Sequence, residues 1–487
     1  MWLLVHIICY TLILLAVHHV FSYWKRRRFP QEKTVLYLDF FKQIIRRELQ
    51  YVKAINADYR RFRSQPFIGI YCRLKPCLLV RDLSLANSIM KTASAHHFAN
   101  TKWDYSRNYR KYNLLEKLSP IFCKNQLEGM LPHIEKVANN LLNYLNDQWR
   151  QDDKVVEVDA QYLISTFVIN VLANLIYGSE IDHFKQTDNV FKQYVNEKLR
   201  NTRAYNFFLR QNSSITLREM LNENVQQREQ SGLIRKDILQ MLLKLRNGDN
   251  IEYNEKFTWC LKKDYGIKEK FLSLSKLTRI VEHLFDMGYE SMAVTATFTL
   301  YEILKDDDIR QKIMQELEAF ELTKTNCNNI CVNYENLQKL KFMDLCIQET
   351  TRKYPSVPLI ERQCCKDFKL PGTKLTMRDG DTMIIPLMAI QHDEKYYVNP
   401  FSYKPQRFAE NKSGEKAEVF IGFGFGAQIC VAQHLIKLVI KLILVKLFLN
   451  YQLESTDSAS LKVDYKRLAC IRAKKGFKIK LKKLLQK

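Results

Sequence analysis

The residues best suited to chemistry lie near the C-terminus, in Phe423-Gly424-Phe425-Gly426-Ala427-Gln428-Ile429-Cys430-Val431-Ala432. Two glycines two apart let the backbone fold tightly or approach a flat ligand closely. Cys430 follows, then an apolar run, Leu435–Leu449, expected as a helix. A thiol at the start of a helix has amide N–H groups and the helix dipole to stabilise its thiolate, which suits an anionic sulfur ligand to iron. The alternative is a buried structural cysteine beside a Gly-rich turn, and the loop alone leaves that alternative ahead. Upstream, Glu349-Thr350-Thr351-Arg352 sets an acid and an arginine three apart, on one face of a helix expected over Glu335–Lys353. Surface pairs at this spacing are very common. A third candidate, Met287-Gly288-Tyr289-Glu290-Ser291, puts an acid beside a hydroxyl in a long helical run. On its own it reads as an incidental pair on a core helix.

The elements that must position these residues are mostly helical. Amphipathic runs cover roughly 124–150, 158–177, 186–200 and 216–247, and another begins near Ser273 and passes Leu304. The run Glu335–Lys353 is closed by Tyr354-Pro355, since a residue before proline disfavours helix. Strands are expected at Phe67–Cys72 and Cys77–Arg81 around Pro76, and at Thr382–Ile385 after the turn Arg378-Asp379-Gly380. Near the C-terminus, Phe477, Ile479 and Leu481 alternate with Lys478, Lys480 and Lys482, the period of a half-exposed strand. The fold class is therefore mainly α with a small β portion.

Residues Trp2 to Trp24 contain no Lys, Arg, Asp or Glu, and Lys25-Arg26-Arg27-Arg28 comes immediately after them. That length suits one membrane-spanning helix, and the positive-inside rule places the rest of the chain in the cytoplasm. A cleaved signal peptide fits worse, because no basic residue precedes the apolar run and no A-x-A-like site ends it. The expected organisation is an anchor over 1–24, a basic linker over 25–60 and one large domain over 61–487.

The 487 residues include 46% apolar and 26% charged ones, which excludes disordered and fibrous chains. With 76 Lys+Arg against 52 Asp+Glu the formal charge is +24, which calls for an anionic surface or an acidic partner. The twelve cysteines show no paired CxxC pattern and are expected as mostly buried, reduced thiols. Two N-x-S sequons, at Asn212 and Asn411, are expected to be unused on a cytosolic body.

Taken together, the motifs resemble a microsomal cytochrome P-450, a haem-thiolate monooxygenase, most like the insect detoxification-type branch. The resemblance rests on the anchor, Phe67-Ile68-Gly69-Ile70-Tyr71, Lys117-Leu118-Ser119-Pro120, Glu349 to Arg352, Arg362, Leu370-Pro371-Gly372, His392-Asp393, Pro405-Gln406-Arg407-Phe408 and the Cys430 loop, in order and at matching spacing. It implies a triangular helical prism around a buried haem b. It implies that Cys430 is the axial iron ligand, within a loop that includes Phe423, Gly424, Gly426 and Gln428. Arg362 matches a position that pairs with a haem propionate. Glu349, Arg352 and Arg407 match a structural salt-bridge set, and Glu290 with Ser291 matches the acid and hydroxyl that serve oxygen activation.

The resemblance further implies NADPH-derived electrons from a flavoprotein, NADPH-cytochrome P-450 reductase, with cytochrome b5 as a second donor. It implies a lipophilic small-molecule substrate and an endoplasmic reticulum membrane location as a single span. It narrows the partners of the +24 charge to anionic lipid and an acidic electron-donor surface, with no nucleic acid. Regions 95–115, 195–225 and 280–295 are expected to line the substrate pocket.

Several positions depart from the family pattern. Gln428 stands where Arg is usual, and Lys111 and Leu115 stand where a Trp-x-x-x-Arg pair is usual, with Lys111 or Arg110 as candidate replacements. Met287 replaces a small residue, Ala432 replaces a glycine, and the usual Pro-rich hinge is reduced to Pro30. These departures keep two alternatives open: a haem-thiolate isomerase or dehydratase, and a non-catalytic haem-binding protein on the same scaffold.

Overall fold

The structure is a computed structural model that describes residues 2–31, 45, 50–72, 75–90, 97–100, 118–149, 155–186, 189–199, 212–249, 251, 273–321, 332–409, 422–424, 429–456, 461, 463–464, 472–474 and 476–484. The helices used below, in chain order, are α1 Trp2–Phe21, α2 Tyr51–Arg61, α3 Leu83–Met90, α4 Lys124–Asp147, α5 Ala160–Leu172, α6 Val190–Leu199, α7 Asn212–Ser231 and α8 Ile238–Asn247. They continue with α9 Leu274–Lys305, α10 Asp307–Glu321, α11 Tyr334–Lys339, α12 Lys341–Lys353, α13 Leu387–Gln391 and α14 Gln433–Asn450. The strands used below are β1 Phe67–Cys72, β2 Lys75–Val80, β3 Phe98–Asn100, β4 Val156–Asp159, β5 Ile360–Cys364, β6 Phe368–Lys369, β7 Thr376–Met377, β8 Thr382–Ile385, β9 Tyr451–Ser455 and β10 Lys478–Lys483. The mainly α class with a small β portion is the one expected.

The residues form two compact units, one from 1–114, 351–430 and 463–472, the other from 115–350, 431–462 and 473–487. The first holds a five-stranded sheet in the order β1-β2-β8-β5-β3. β2 pairs with β8 in parallel, and the other neighbours are antiparallel. Alternate residues enter two separate apolar clusters: Phe67, Tyr71, Leu78, Val80, Met383 and Ile385 on one face, Ile68, Ile70, Leu79 and Ile384 on the other. A sheet covered on both faces reads as continuous apolar runs, and every residue of β1 is buried.

The residues just after α1 pack on this sheet. Trp24 is wholly buried and donates its Nε1–H to the Ile70 carbonyl at 3.2 Å. Gly69 is a glycine because a Cβ there would come within 2.4 Å of the Trp24 ring. The Gly69 N–H donates to the Pro30 carbonyl at 2.7 Å. Of the four consecutive cations, Lys25, Arg26 and Arg28 are exposed, while Arg27 turns inward onto buried Asp381 at 2.7 Å and the Thr376 carbonyl at 2.7 Å. The first residues of the expected linker are thus fixed to β1 and to the turn after β7.

In the second unit α9, 32 residues long, packs against α5 and α14. A three-stranded sheet runs β4-β10-β9. Ile479 and Leu481 are buried and Lys478 and Lys480 exposed, as their alternation predicts. Asp159, Asp237 and Asn333 cap the starts of α5, α8 and α11 by accepting backbone N–H groups.

Two expected helices are each divided in two. The run 216–247 breaks at Gly232, which has φ +65°. The break is held by buried Arg228, whose Nη1 and Nη2 donate to Asp237 at 2.8 and 2.6 Å. The run Glu335–Lys353 breaks at Leu340, where Glu316 of α10 accepts the N–H groups of Phe342 and Met343 at 2.7 and 3.0 Å. A foreign carboxylate thus satisfies the opening donors of α12 and allows a fresh start there.

Among the described residues, two helical stretches are long and apolar enough to cross a membrane, Leu4–Phe21 and Ala160–Tyr177. The second is mostly buried inside its unit and is a core helix. The first has no buried residue and is a candidate span.

Candidate haem-thiolate site

The cysteine loop closes on itself. The Cys430 N–H donates to the Phe423 carbonyl at 2.7 Å, and Gly424 turns the chain with φ +83°, where a side chain would be strained. Cys430 and Phe423 are half-buried. Two residues further on, Ala432 is the N-cap of α14, so the thiol precedes a helix start. Gly426 and Gln428 lie outside the described residues, as do Arg110, Lys111, Leu115 and Asn411.

Arg352, near the end of α12, has no exposed surface. Its Nη1 donates to the Gln391 carbonyl at 2.9 Å and its Nη2 to the Ser402 carbonyl at 3.5 Å. Arg407 donates from Nη2 to the same Ser402 carbonyl at 3.3 Å and from Nη1 to the Val398 carbonyl at 3.3 Å. The two guanidinium groups lie 5.0 and 5.9 Å from the Tyr397 ring centre, in cation–π range. Glu349, one turn earlier on α12, is also fully buried. The sequence pattern therefore brought together two arginines that share one carbonyl and one ring. Next to them, His392 donates Nε2–H to the Lys353 carbonyl at 2.8 Å, and burial holds its pKa down at about 4, so the ring is neutral.

Gln391 is a site residue that the sequence reading missed. It is wholly buried, and in the amide orientation that satisfies both neighbours it donates to the Arg352 carbonyl at 2.9 Å and accepts the Gly422 N–H at 3.2 Å. Nothing in the sequence marks it except its place just before His392-Asp393.

Arg362 lies on β5, paired with Asn100 of β3 and Met383 of β8. Its Nη1 donates to the Glu361 carbonyl at 3.0 Å. Its Nε is fully shielded and meets no acceptor among the described residues. Burial lowers its pKa to about 10. A shielded guanidinium nitrogen without a partner is costly, and a carboxylate-bearing ligand would satisfy it.

In the other unit, Glu290 and Ser291 lie on α9, which is helical throughout residues 287–291. The Ser291 hydroxyl donates to the Met287 carbonyl at 2.6 Å and lies 3.2 Å from the Gly288 carbonyl. Gly288 faces Leu172, whose methyl carbons would lie 3.4–3.5 Å from a Cβ there. Phe285 and Tyr289 stack, centroids 6.3 Å apart, on the same helix. Glu290 is half-buried.

Among the described residues, then, a half-buried thiol closes a loop ahead of a helix, and a shielded guanidinium nitrogen meets no acceptor. The comparisons with known proteins show the family. A family model described as cytochrome P-450 matches residues 66–481. Over 99% of this chain and 98% of the relative, the sequence is 39% identical to probable cytochrome P-450 310a1 of Drosophila melanogaster. It is 27% identical to probable cytochrome P-450 6d4 of the same fly, over 98% of each chain, and 28% identical to cytochrome P-450 6d3 of Musca domestica, over 91% of each. The chain belongs to the cytochrome P-450 family, on its insect branch. It is a haem-thiolate monooxygenase in general terms; proteins of this family bind haem iron through a cysteine thiolate and use NADPH-derived electrons.

Proposed function

We propose that Cys430 is the thiolate that holds the haem iron and that the enzyme inserts one oxygen atom from dioxygen into a lipophilic small molecule. The observation that carries this reading is the closed loop from the Phe423 carbonyl to the Cys430 N–H, which fixes a half-buried thiol ahead of α14. The bound haem supplies oxygen activation, and its thiolate ligand favours O–O cleavage.

The chain's own residues do the rest. Arg362 would hold a propionate through its shielded Nε, and the resemblance assigns Phe423, Gly424, Gly426 and Gln428 to the same group. The resemblance assigns Glu349, Arg352 and Arg407 to a structural set, of which Arg352 reaches the loop through Gln391 and Gly422. On α9, Glu290 moves protons through water. Ser291 holds its hydroxyl proton on the Met287 carbonyl, which leaves its oxygen lone pairs to accept a bond from that water. Met287 narrows the space next to this turn. Electrons come from NADPH through a flavoprotein reductase, with cytochrome b5 as a second donor. The α1 helix anchors the protein in the endoplasmic reticulum membrane as a single span, with Lys25, Arg26 and Arg28 on the cytoplasmic side against anionic lipid.

The test reconstitutes the full chain with reductase and NADPH and offers lipophilic substrates under isotopically labelled dioxygen. One labelled oxygen atom in the product, with NADPH consumed in step, is the expected result. Conversion of a peroxide substrate without reductase, and no labelled product, would replace this reading with the isomerase or dehydratase one.

A further inference from the structure

Gln391 closes α13, and none of its side chain reaches solvent. Residues 391 and 392 grip residues 352 and 353 in order. The Gln391 carbonyl accepts from Arg352 Nη1 at 2.9 Å, the Gln391 amide donates to the Arg352 carbonyl at 2.9 Å, and His392 donates to the Lys353 carbonyl at 2.8 Å. One group in this set also reaches the cysteine loop. The Gln391 amide oxygen accepts the Gly422 N–H at 3.2 Å. Gly422 is bonded to Phe423, whose carbonyl accepts the Cys430 N–H at 2.7 Å. A line of hydrogen bonds and one peptide unit thus joins Arg352 to Cys430 through a single neutral side chain.

We infer that Gln391 is a positioning residue for Cys430, fixing the entry to the thiolate loop against the end of α12. The chemistry favours glutamine at this place. A buried amide offers a donor on one arm and an acceptor on the other, and both are used here. Glutamate keeps the acceptor for Gly422 but turns an oxygen toward the Arg352 carbonyl. Methionine keeps the volume and makes neither bond. The effect on the sulfur rests on the reading of Cys430 as the iron ligand; the effect on the loop backbone does not.

The test uses the full haem-loaded chain and two readouts, hydrogen–deuterium exchange over 422–430 and the ferrous carbon monoxide spectrum. In Gln391→Met, exchange over 422–430 should rise roughly 10-fold, the scale of one lost hydrogen bond, while β1 and β2 keep their protection. Part of the Soret band should move from the thiolate position to the shorter-wavelength position of a displaced or protonated sulfur. Gln391→Glu should retain the protection of Gly422. A purely structural role for Gln391 would lower the melting temperature with neither loop readout changed, and that result overturns the inference. Where Gln391→Met does not fold, the wild type decides: exchange of the Gly422 amide at the free-peptide rate overturns the inference, and protection retained in Gln391→Glu supports it. A wild-type chain with Gly422 protected and no thiolate band overturns the ligand reading and supports the positioning one.

Discussion

The cysteine loop and the Glu290–Ser291 turn are built in opposite ways. Around Cys430 the chain is fixed by side chains distant in sequence. Arg352 bonds Gln391 across a gap of 39 residues, and Gln391 in turn holds Gly422, so the geometry there depends on the whole unit. Around Ser291 the polar contacts that are seen are local, a hydroxyl on the carbonyl four residues back in the same helix. The first arrangement ties the backbone of Cys430 to one place. The second leaves a hydroxyl oxygen free to accept, on a helix that keeps its shape without it. The difference predicts that substitutions on the cysteine side change folding and haem retention, and those on the α9 side change turnover alone.

Arg352→Ala should break the comparison most forcefully. It removes a wholly buried cation and leaves the buried Gln391 carbonyl without its charged donor, at about 1–3 kcal/mol. Thermal unfolding should show a large drop in midpoint with little haem bound. A midpoint near wild type would mean that the loop does not depend on this residue. Arg362→Met should act next, on haem retention and not on the fold. Losing one charge-assisted bond of about 1.5–3 kcal/mol should speed haem transfer to apomyoglobin roughly 10- to 100-fold. Equal transfer rates would remove Arg362 from the propionate site.

On the α9 side, Ser291→Ala and Glu290→Gln should lower coupled product formation by about 100-fold, the lower range for positioned proton transfer. Their unfolding free energy should stay within about 0.5 kcal/mol of wild type, since a serine bonded back to its own helix adds little stability. A large stability loss in Ser291→Ala would erase the contrast between the two regions.

The smallest effect is on pH dependence. His392 has a folded pKa of about 4, below its ordinary 6.5, so the unfolded chain binds the extra proton between those values. Stability should therefore be full above pH 6.5 and fall as the pH drops toward 4. Buried His183, also held down at about 4, adds in the same direction. His392→Gln should flatten this fall in a series of thermal melts and leave part of it, from His183. An unchanged slope would show that His392 is protonated in the folded protein.

Much of this was legible in the sequence where a local rule suffices. β8 was foreseen at Thr382–Ile385 because a turn precedes a short apolar run, and β10 because lysines alternate with buried residues. Motif order alone marked Cys430 and Arg352. The breaks at Gly232 and Leu340 are not legible there, because the apolar period continues across both and side-chain bonds make each break stable, Arg228–Asp237 across the first and Glu316 of another helix at the second. β3 was missed for a related reason: three residues are a strand only because β5 lies alongside them. Gln391 and the lone Arg362 Nε are products of packing, and no spacing rule announces either.

The most direct measurement is the ferrous carbon monoxide spectrum of the purified full chain, set beside that of Cys430→Ser. A Soret band at the long-wavelength thiolate position in the wild type, absent from the variant, is the expected result. The same band persisting in Cys430→Ser, or a wild-type chain that binds no haem, would contradict the assignment of Cys430 as the ligand.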